Sequence, residues 1–117
     1  MNGPTARVVV LDPDAVLGAA VAGLLRAQGW EAAATDDPDV AGRSVTSEGV
    51  RSVVVSCTDP SVLSGLRAVH PSVPVVALVD DPEGADAALA AGADSALLRP
   101  VEVERIDETL HRLLGTG

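Results

Sequence analysis

The sequence contains no lysine, phenylalanine or tyrosine, and it has a single tryptophan and a single cysteine. Chemistry that needs a lysine amine is therefore excluded, and so is a platform of several stacked aromatic rings. The lone Cys57 cannot form an internal disulfide, which favours a reducing, cytoplasmic setting. We expect Cys57 to be a small buried side chain, because no basic residue adjoins it to activate the thiol.

Long apolar runs are missing as well. The longest nearly apolar stretch, residues 15–25, is about half of the roughly 20 residues that a membrane-spanning helix needs, so no membrane span is expected. The polar N-terminal residues 1–7 do not have the apolar core of a secretion signal. The formal net charge of −9 repels phosphate backbones and anionic lipids, and direct contact with nucleic acid is not expected.

Asp-Pro pairs recur along the chain, at Asp12-Pro13, Asp37-Pro38, Asp59-Pro60 and Asp81-Pro82, and Arg99-Pro100 is a fifth variant. Each pair predicts the start of a helix, because Asp caps the first free amides and proline suits the first helical position. The predicted helices are 13–28, 38–47, 60–69, 82–91 and 102–114. An apolar strand candidate precedes each helix, at 7–11, 31–35, 52–57, 73–79 and 95–98.

Five such units predict a single α/β domain over residues 1–117 with its core at 7–114. The expected fold is a three-layer, doubly wound (βα)5 domain with a parallel five-stranded sheet in the order 2-1-3-4-5. The third strand is apolar without alternation, which is typical of a buried central strand. The crevice at the carboxyl ends of strands 1 and 3 then brings Asp12 close to Ser56.

Two packing predictions follow from periodicity and position. The buried stripe of the first helix is predicted to be Leu17, Val21, Leu24 and Leu25. The sole aromatic residue, Trp30, is expected to be a half-buried packing residue, with the anchoring of a partner as the alternative.

In sequence order, these features resemble a response-regulator receiver domain over residues 7–114. The motifs are Val8-Val9-Val10-Leu11-Asp12, Ser56-x-x-x-Pro60, Val73-Pro74-Val75-Val76-Ala77-Leu78, and Ala91-Gly92-Ala93-Asp94 with Arg99-Pro100. The resemblance implies a flavodoxin-like fold. It also implies phosphoryl transfer from a histidine kinase to an aspartate at the end of strand 3, with Mg²⁺ held by that aspartate and an acidic pair after strand 1.

Carried over position by position, the family's pocket corresponds to Asp12, Pro13, Ser56, Val79 and Arg99. Of these, only Asp12 keeps the family's residue type: Ser56 replaces the acceptor, Pro13 the second acid, Val79 the switch hydroxyl and Arg99 the essential lysine. Without two of the carboxylates, Mg²⁺ binding is expected to be lost or weak. A serine without an adjacent base is a poor nucleophile, so no catalytic residue and no cofactor are expected.

The rim of this crevice is strongly acidic, with Asp12, Asp14, Asp36, Asp37, Asp59, Asp80 and Asp81 against Arg99 alone. A phosphoryl group would be repelled there. Arg99 is expected to bond to Asp12 or to carbonyls at the strand ends. Asp59, directly before Pro60, is expected to cap its helix rather than accept a phosphoryl group.

The substitutions favour a pseudo-receiver, a non-enzymatic signalling module that acts without phosphorylation by binding a protein partner or a second copy of itself. The resemblance points to helix 4, strand 5 and helix 5 as the interaction face, with Ala85, Ala88, Leu89, Ala96 and Arg105 as candidates. Two alternatives are a receiver phosphorylated on Ser56 or Asp59 and a sensor that binds a small molecule in the altered crevice.

Overall fold

The structure is a computed structural model that describes residues 7–47, 49–56 and 59–115, without the side chain of residue 47. The predictions for Cys57 lie outside the described residues. Strands and helices alternate as predicted: β1 (Arg7–Leu11), α1 (Ala15–Ala27), β2 (Glu31–Thr35), α2 (Pro38–Ser47), β3 (Ser52–Ser56), α3 (Pro60–Val69), β4 (Val75–Val79), α4 (Pro82–Ala90), β5 (Ser95–Leu98) and α5 (Val103–Leu114).

The five strands form one parallel sheet in the order β2-β1-β3-β4-β5, which confirms the predicted topology. All five residues of β3 and all five of β4 are buried, as expected for strands covered on both faces. Helices α2, α3 and α4 pack on one face of the sheet, and α1 and α5 pack on the other. No helix in the described ranges is both long and apolar enough to span a membrane.

In three of the four Asp-Pro pairs, the aspartate accepts a hydrogen bond from an amide of the first helical turn, as predicted. Asp59 accepts a hydrogen bond from the Ser61 amide (3.0 Å) at the start of α3, and Asp81 accepts one from the Gly84 amide (2.6 Å) at the start of α4. At α2, the carboxylate of Asp37 accepts from the Asp39 amide at 2.9 Å.

The prediction for α1 is wrong by two residues, because a second capping carboxylate follows the first. Asp14 caps α1 by accepting from the amides of Val16 (2.9 Å) and Leu17 (3.2 Å). Asp12 instead accepts from the Asp14 amide at 2.8 Å and so holds the turn between β1 and α1. The Arg99-Pro100 pair does not start a helix either; its peptide bond is cis, and α5 begins after Glu102.

The predicted buried stripe of α1 is right for Leu25, which is fully buried, and for Val21, which is partly buried against the core, but it is wrong for Leu17 and Leu24. The helix buries Gly18, Ala22 and Leu25, whereas Leu17 and Leu24 are about half exposed. A Cβ atom on Gly18 would lie 3.1 Å from the Cβ of Asp12, so the helix approaches the sheet through its small residues. Because residues 15–25 are all apolar or glycine, periodicity could not distinguish the two faces.

Trp30 is a core residue and not the half-buried residue or partner anchor that was expected. Its side chain is buried between α1 and α5, and its indole N–H donates to the carboxylate of Asp107 at 2.7 Å. The imidazole of His111 lies against the indole with ring centroids 4.9 Å apart, and its Nε2 is 3.3 Å from the same carboxylate. The carboxylate therefore satisfies a buried N–H donor that has no access to water.

This contact predicts that Asp107→Ala lowers the free energy of unfolding by about 1–3 kcal/mol, because the buried indole N–H loses its acceptor. Asp107→Asn, which keeps a carbonyl oxygen, is expected to lose less. Urea unfolding followed by the fluorescence of Trp30 measures both variants. Equal losses for the two substitutions would contradict the importance of the acceptor.

Candidate functional site

The crevice lies where β1, β3 and β4 end. In the parallel register, Leu11 is paired with Val55 and Ser56 with Leu78, so the residues that follow these strands share one edge of the sheet. Ser56 is the last residue of β3, and Asp12 and Asp80 directly follow β1 and β4. The predicted proximity of strands 1 and 3 at this edge is therefore confirmed.

Arg99 reaches across the sheet to Ser56 and Asp80. Its backbone amide donates to the carbonyl of Val79 at 2.7 Å, which fixes the start of the side chain beside the end of β4. Its Nη1 donates to the Ser56 hydroxyl oxygen, and its Nε donates to Oδ1 of Asp80 at 3.0 Å. Ser56 is buried at 7% exposure, while the Asp80 side chain is 71% exposed. The guanidinium thus lies between a buried hydroxyl and an acid at the surface.

The prediction that Arg99 pairs with Asp12 or with strand-end carbonyls is wrong as to the partner. The side chain bonds to Ser56 and Asp80 instead. The reason is strand order: β5 and β1 are three strand spacings apart, about 14 Å at roughly 4.8 Å per strand. Asp80 follows the neighbouring strand. The sequence placed Asp80 on the acidic rim, but nothing in its local pattern singled it out as the ion-pair partner.

The other predicted pocket positions are Asp12, Pro13 and Val79. They supply no free donor or charge to the contact of Arg99 with Ser56 and Asp80. Asp12 is 4% exposed, and its carboxylate is engaged by the Asp14 amide. Val79 is fully buried and packs in the core against the α4 side of the sheet. Pro13 lines a small cavity of about 110 Å³ between the ends of β1 and β3, together with Leu11, Asp36, Pro38, Val55, Ser56, Asp59 and Val62.

The receiver resemblance implies a Mg²⁺ ion, but the residues of this crevice do not fit one. Mg²⁺ requires near-octahedral oxygen ligands at about 2.0–2.1 Å, including one or two carboxylates. Pro13 offers no side-chain oxygen, and the Ser56 hydroxyl already accepts from a guanidinium whose positive charge opposes a second cation. Within the described ranges, no three His, Cys, Asp or Glu side chains are grouped to hold a metal ion.

Asp59 is fully exposed at the mouth of the small cavity. The backbone amide of Ser61, and next its side-chain hydroxyl, bond to the carboxylate and lower the pKa of Asp59 below its ordinary value. Capping of α3 was the predicted role of this residue, and the hydrogen bond to the Ser61 amide confirms it.

Of the five residues predicted for the interaction face on α4, β5 and α5, four are at least partly exposed, and the role of this face stays a prediction. Leu89 and Arg105 are exposed, and Ala85 and Ala96 are partly buried. The prediction of Ala88 as an interface residue is wrong. Ala88 is fully buried, because it lies on the side of α4 that packs against the sheet. A groove of about 530 Å³ on this face is lined by Ala85, Ala96, Leu97, Leu98, Pro100, Val101, Glu102 and Arg105. Sequence reasoning missed Leu98, which is 48% exposed.

The sequence matches no family model and no curated protein. Solved structures do match. NtrX from Brucella abortus in complex with ADP is 26% identical, with a TM-score of 0.84 over 96% of this chain. The receiver domain of NtrX is 24% identical, with a TM-score of 0.80 over 94% of this chain and 99% of that domain. An orphan response regulator of H. pylori is 22% identical, with a TM-score of 0.79 over 97% of this chain and 99% of that one.

This chain spans 26% of the NtrX chain in the ADP complex, while it spans nearly all of the isolated receiver domain. Together with the strand order, these matches show that the chain has the flavodoxin-like fold of a response-regulator receiver domain. Its structural class is thus that of the receiver modules of two-component signalling.

The cap at Asp59 predicts a specific pH dependence. Because the folded state lowers the pKa, it binds fewer protons than the unfolded state; the stabilisation is complete above the ordinary pKa of about 4 and is lost as the pH falls. Asp59→Asn keeps a good cap but cannot titrate. We expect the melting temperature of the unmodified protein to fall more steeply between pH 6 and 3 than that of this variant.

Glu108→Gln, which removes an exposed carboxylate from the middle of α5, controls for the loss of one negative charge. Its melting curve should follow that of the unmodified protein over the same pH range. Parallel curves for the unmodified protein and Asp59→Asn would show that the cap does not contribute to the acid sensitivity.

Proposed function

We propose that this chain is a cytoplasmic pseudo-receiver that signals without phosphorylation, by binding a protein partner or a second copy of itself. The observation that carries the proposal is the contact of the Arg99 guanidinium with the Ser56 hydroxyl, with Asp80 as counter-ion. In this arrangement the acceptor position holds a neutral group that is already bonded to a fixed cation.

Ser56 is poorly suited to attack a phosphorus centre. A serine nucleophile needs a base within hydrogen-bond reach to take its proton. The group that contacts Ser56 is a guanidinium, which stays protonated in proteins and can only donate. The Asp80 carboxylate, which could serve as a base, bonds to Arg99 and not to the hydroxyl. The contacts of Ser56 thus favour a structural role for its hydroxyl, as the hydrogen-bond partner of Arg99, over a role as a nucleophile.

Asp59 is the remaining alternative acceptor. Its carboxylate is exposed and borders the small cavity, but it bonds to the Ser61 amide as a helix cap. Phosphorylation there would convert the capping carboxylate at the start of α3 into an acyl phosphate. A direct test therefore has to distinguish three outcomes: no transfer, transfer to Asp59, and transfer to Ser56.

Incubation with acetyl phosphate and Mg²⁺, followed by intact-mass measurement, is expected to leave the mass unchanged, because the crevice has neither the metal ligands nor an activated acceptor. The gain of one phosphoryl group would overturn the proposal. Asp59→Asn and Ser56→Ala, treated in parallel, would then identify the acceptor by the loss of that gain. A receiver domain with an intact acidic pocket is the positive control for the reagent.

Exposed apolar side chains support the binding part of the proposal. On the α4-β5-α5 face, Leu89 is 47% and Leu98 is 48% exposed, beside the groove that contains Ala85 and Ala96. Small side chains at the groove allow another element to approach closely, and Arg105 provides a charge at its edge. The outward face of α1, with Val16, Leu17 and Leu24, is a second apolar surface.

If the α4-β5-α5 face forms a homodimer, Leu89→Asp combined with Leu98→Asp should convert it to a monomer, because a buried unpaired charge is costly. The matched control is Leu17→Asp combined with Leu24→Asp on α1, which should leave the dimer intact. Light scattering coupled to size-exclusion chromatography measures both. The opposite pattern would assign the interface to α1, and a monomer at every concentration of the unmodified protein would contradict the dimer.

A further inference from the structure

A cavity of about 780 Å³ lies between α2 and α3, away from the α4-β5-α5 face. Its apolar walls include Leu11, Val62, Leu66 and Val69, and we call it the α2–α3 groove. Small-molecule sites in proteins are mostly apolar and measure about 300–1,000 Å³. The groove therefore has the size and lining of a ligand site.

Two glycines keep the groove open. A Cβ atom on Gly65 would meet no other atom within 4 Å, and one on Gly42 would meet only Nε2 of His70, at 3.9 Å. Both glycines are within helices, where glycine costs about 0.5–1 kcal/mol relative to alanine. Neither has a positive φ that would require glycine. The two glycines thus leave open space between α2 and α3.

The polar groups around the groove determine which ligands fit. Asp39 lines it, and the neighbouring small cavity, which shares Leu11, Pro38 and Val62 with it, adds Asp36 and Asp59. Arg43 and His70 also line the groove, and His70 Nε2 is 3.0 Å from the carbonyl of Gly42. With a net charge of −9 on the chain, this setting disfavours an anion.

We propose that the α2–α3 groove binds a small, mostly apolar, uncharged organic molecule. The apolar walls supply the binding free energy through burial. Asp39 in the groove, Asp36 and Asp59 in the adjoining cavity and the net charge of −9 disfavour carboxylates, phosphates and sulfonates of the same size. The groove adjoins the small cavity that Pro13 and Ser56 line, but none of the five positions of the altered pocket lines the groove itself. Its occupancy does not depend on whether the chain is a pseudo-receiver.

The test uses two fluorescent probes with one shared body. N-phenyl-1-naphthylamine is uncharged, and 8-anilinonaphthalene-1-sulfonate adds a sulfonate to the same ring system; both brighten in apolar surroundings. We expect saturable binding of the uncharged probe with 1:1 stoichiometry and at least tenfold weaker binding of the sulfonate. Equal or tighter binding of the sulfonate would overturn the predicted selectivity.

Gly65→Leu fills the groove from the side where space is free and is expected to weaken binding of the uncharged probe at least tenfold. Gly23→Leu on α1, on the opposite face of the sheet, is the matched control and should bind as the unmodified protein does. Circular dichroism of both variants checks the fold. Undiminished binding by a folded Gly65→Leu variant would exclude the groove as the site.

A second measurement does not depend on any variant. In the ¹H–¹⁵N spectrum of the unmodified protein, the uncharged probe should shift amides of α2 and α3 and leave those of α5 in place. Shifts confined to other elements would overturn the proposal. Light scattering with the probe present completes the test: an unchanged molar mass is expected, whereas a dimer that the probe dissociates would assign the groove to a second copy of the chain instead.

Discussion

The structure depends on the burial of β1, β3 and β4 between two layers of helices. Every residue of β3 and β4 is buried, so a polar side chain can enter this layer only where a strand begins or ends. β3 follows this rule with a serine at each end. Ser52 donates to the carbonyl of Pro74 at 2.9 Å, and Ser56 accepts from Arg99. The crevice thus lies at the strand ends because the buried middle of the sheet excludes water and polar side chains.

The contacts of Arg99 explain how the substituted residues of the crevice fit together. A hydroxyl cannot neutralise a guanidinium, so the counter-charge comes from Asp80 at the surface. Exposed ion pairs of this kind contribute little to stability, and the effect of Asp80 is mainly to orient the side chain. The fixed cation then disfavours a metal ion at the same edge of the sheet. The substitutions at Ser56 and Arg99 therefore go together, because the hydroxyl of one accepts a hydrogen bond from the guanidinium of the other.

Local patterns predicted the strands, the strand order and the caps at Asp59 and Asp81, because each depends on a few adjacent residues. Contacts between distant residues were not predictable in this way. Trp30 bonds to an aspartate 77 positions away, and Arg67 donates to the carbonyl of Gly92 and to the carboxylate of Asp94. The outward face of α1 was missed because residues 15–25 are all apolar or glycine and leave no polar side to mark it.

That outward face of α1 is relevant to the proposal that this domain signals without phosphorylation. A helix that is apolar on all sides is ordinarily buried, yet Val16, Leu17 and Leu24 are exposed on a chain with a net charge of −9. The α2–α3 groove lies on the other face of the sheet. If the strand ends no longer respond to phosphate, these helical surfaces and the α4-β5-α5 face are places where binding can change the domain. They pack on the same buried strands, and any coupling between them has to pass through that rigid layer.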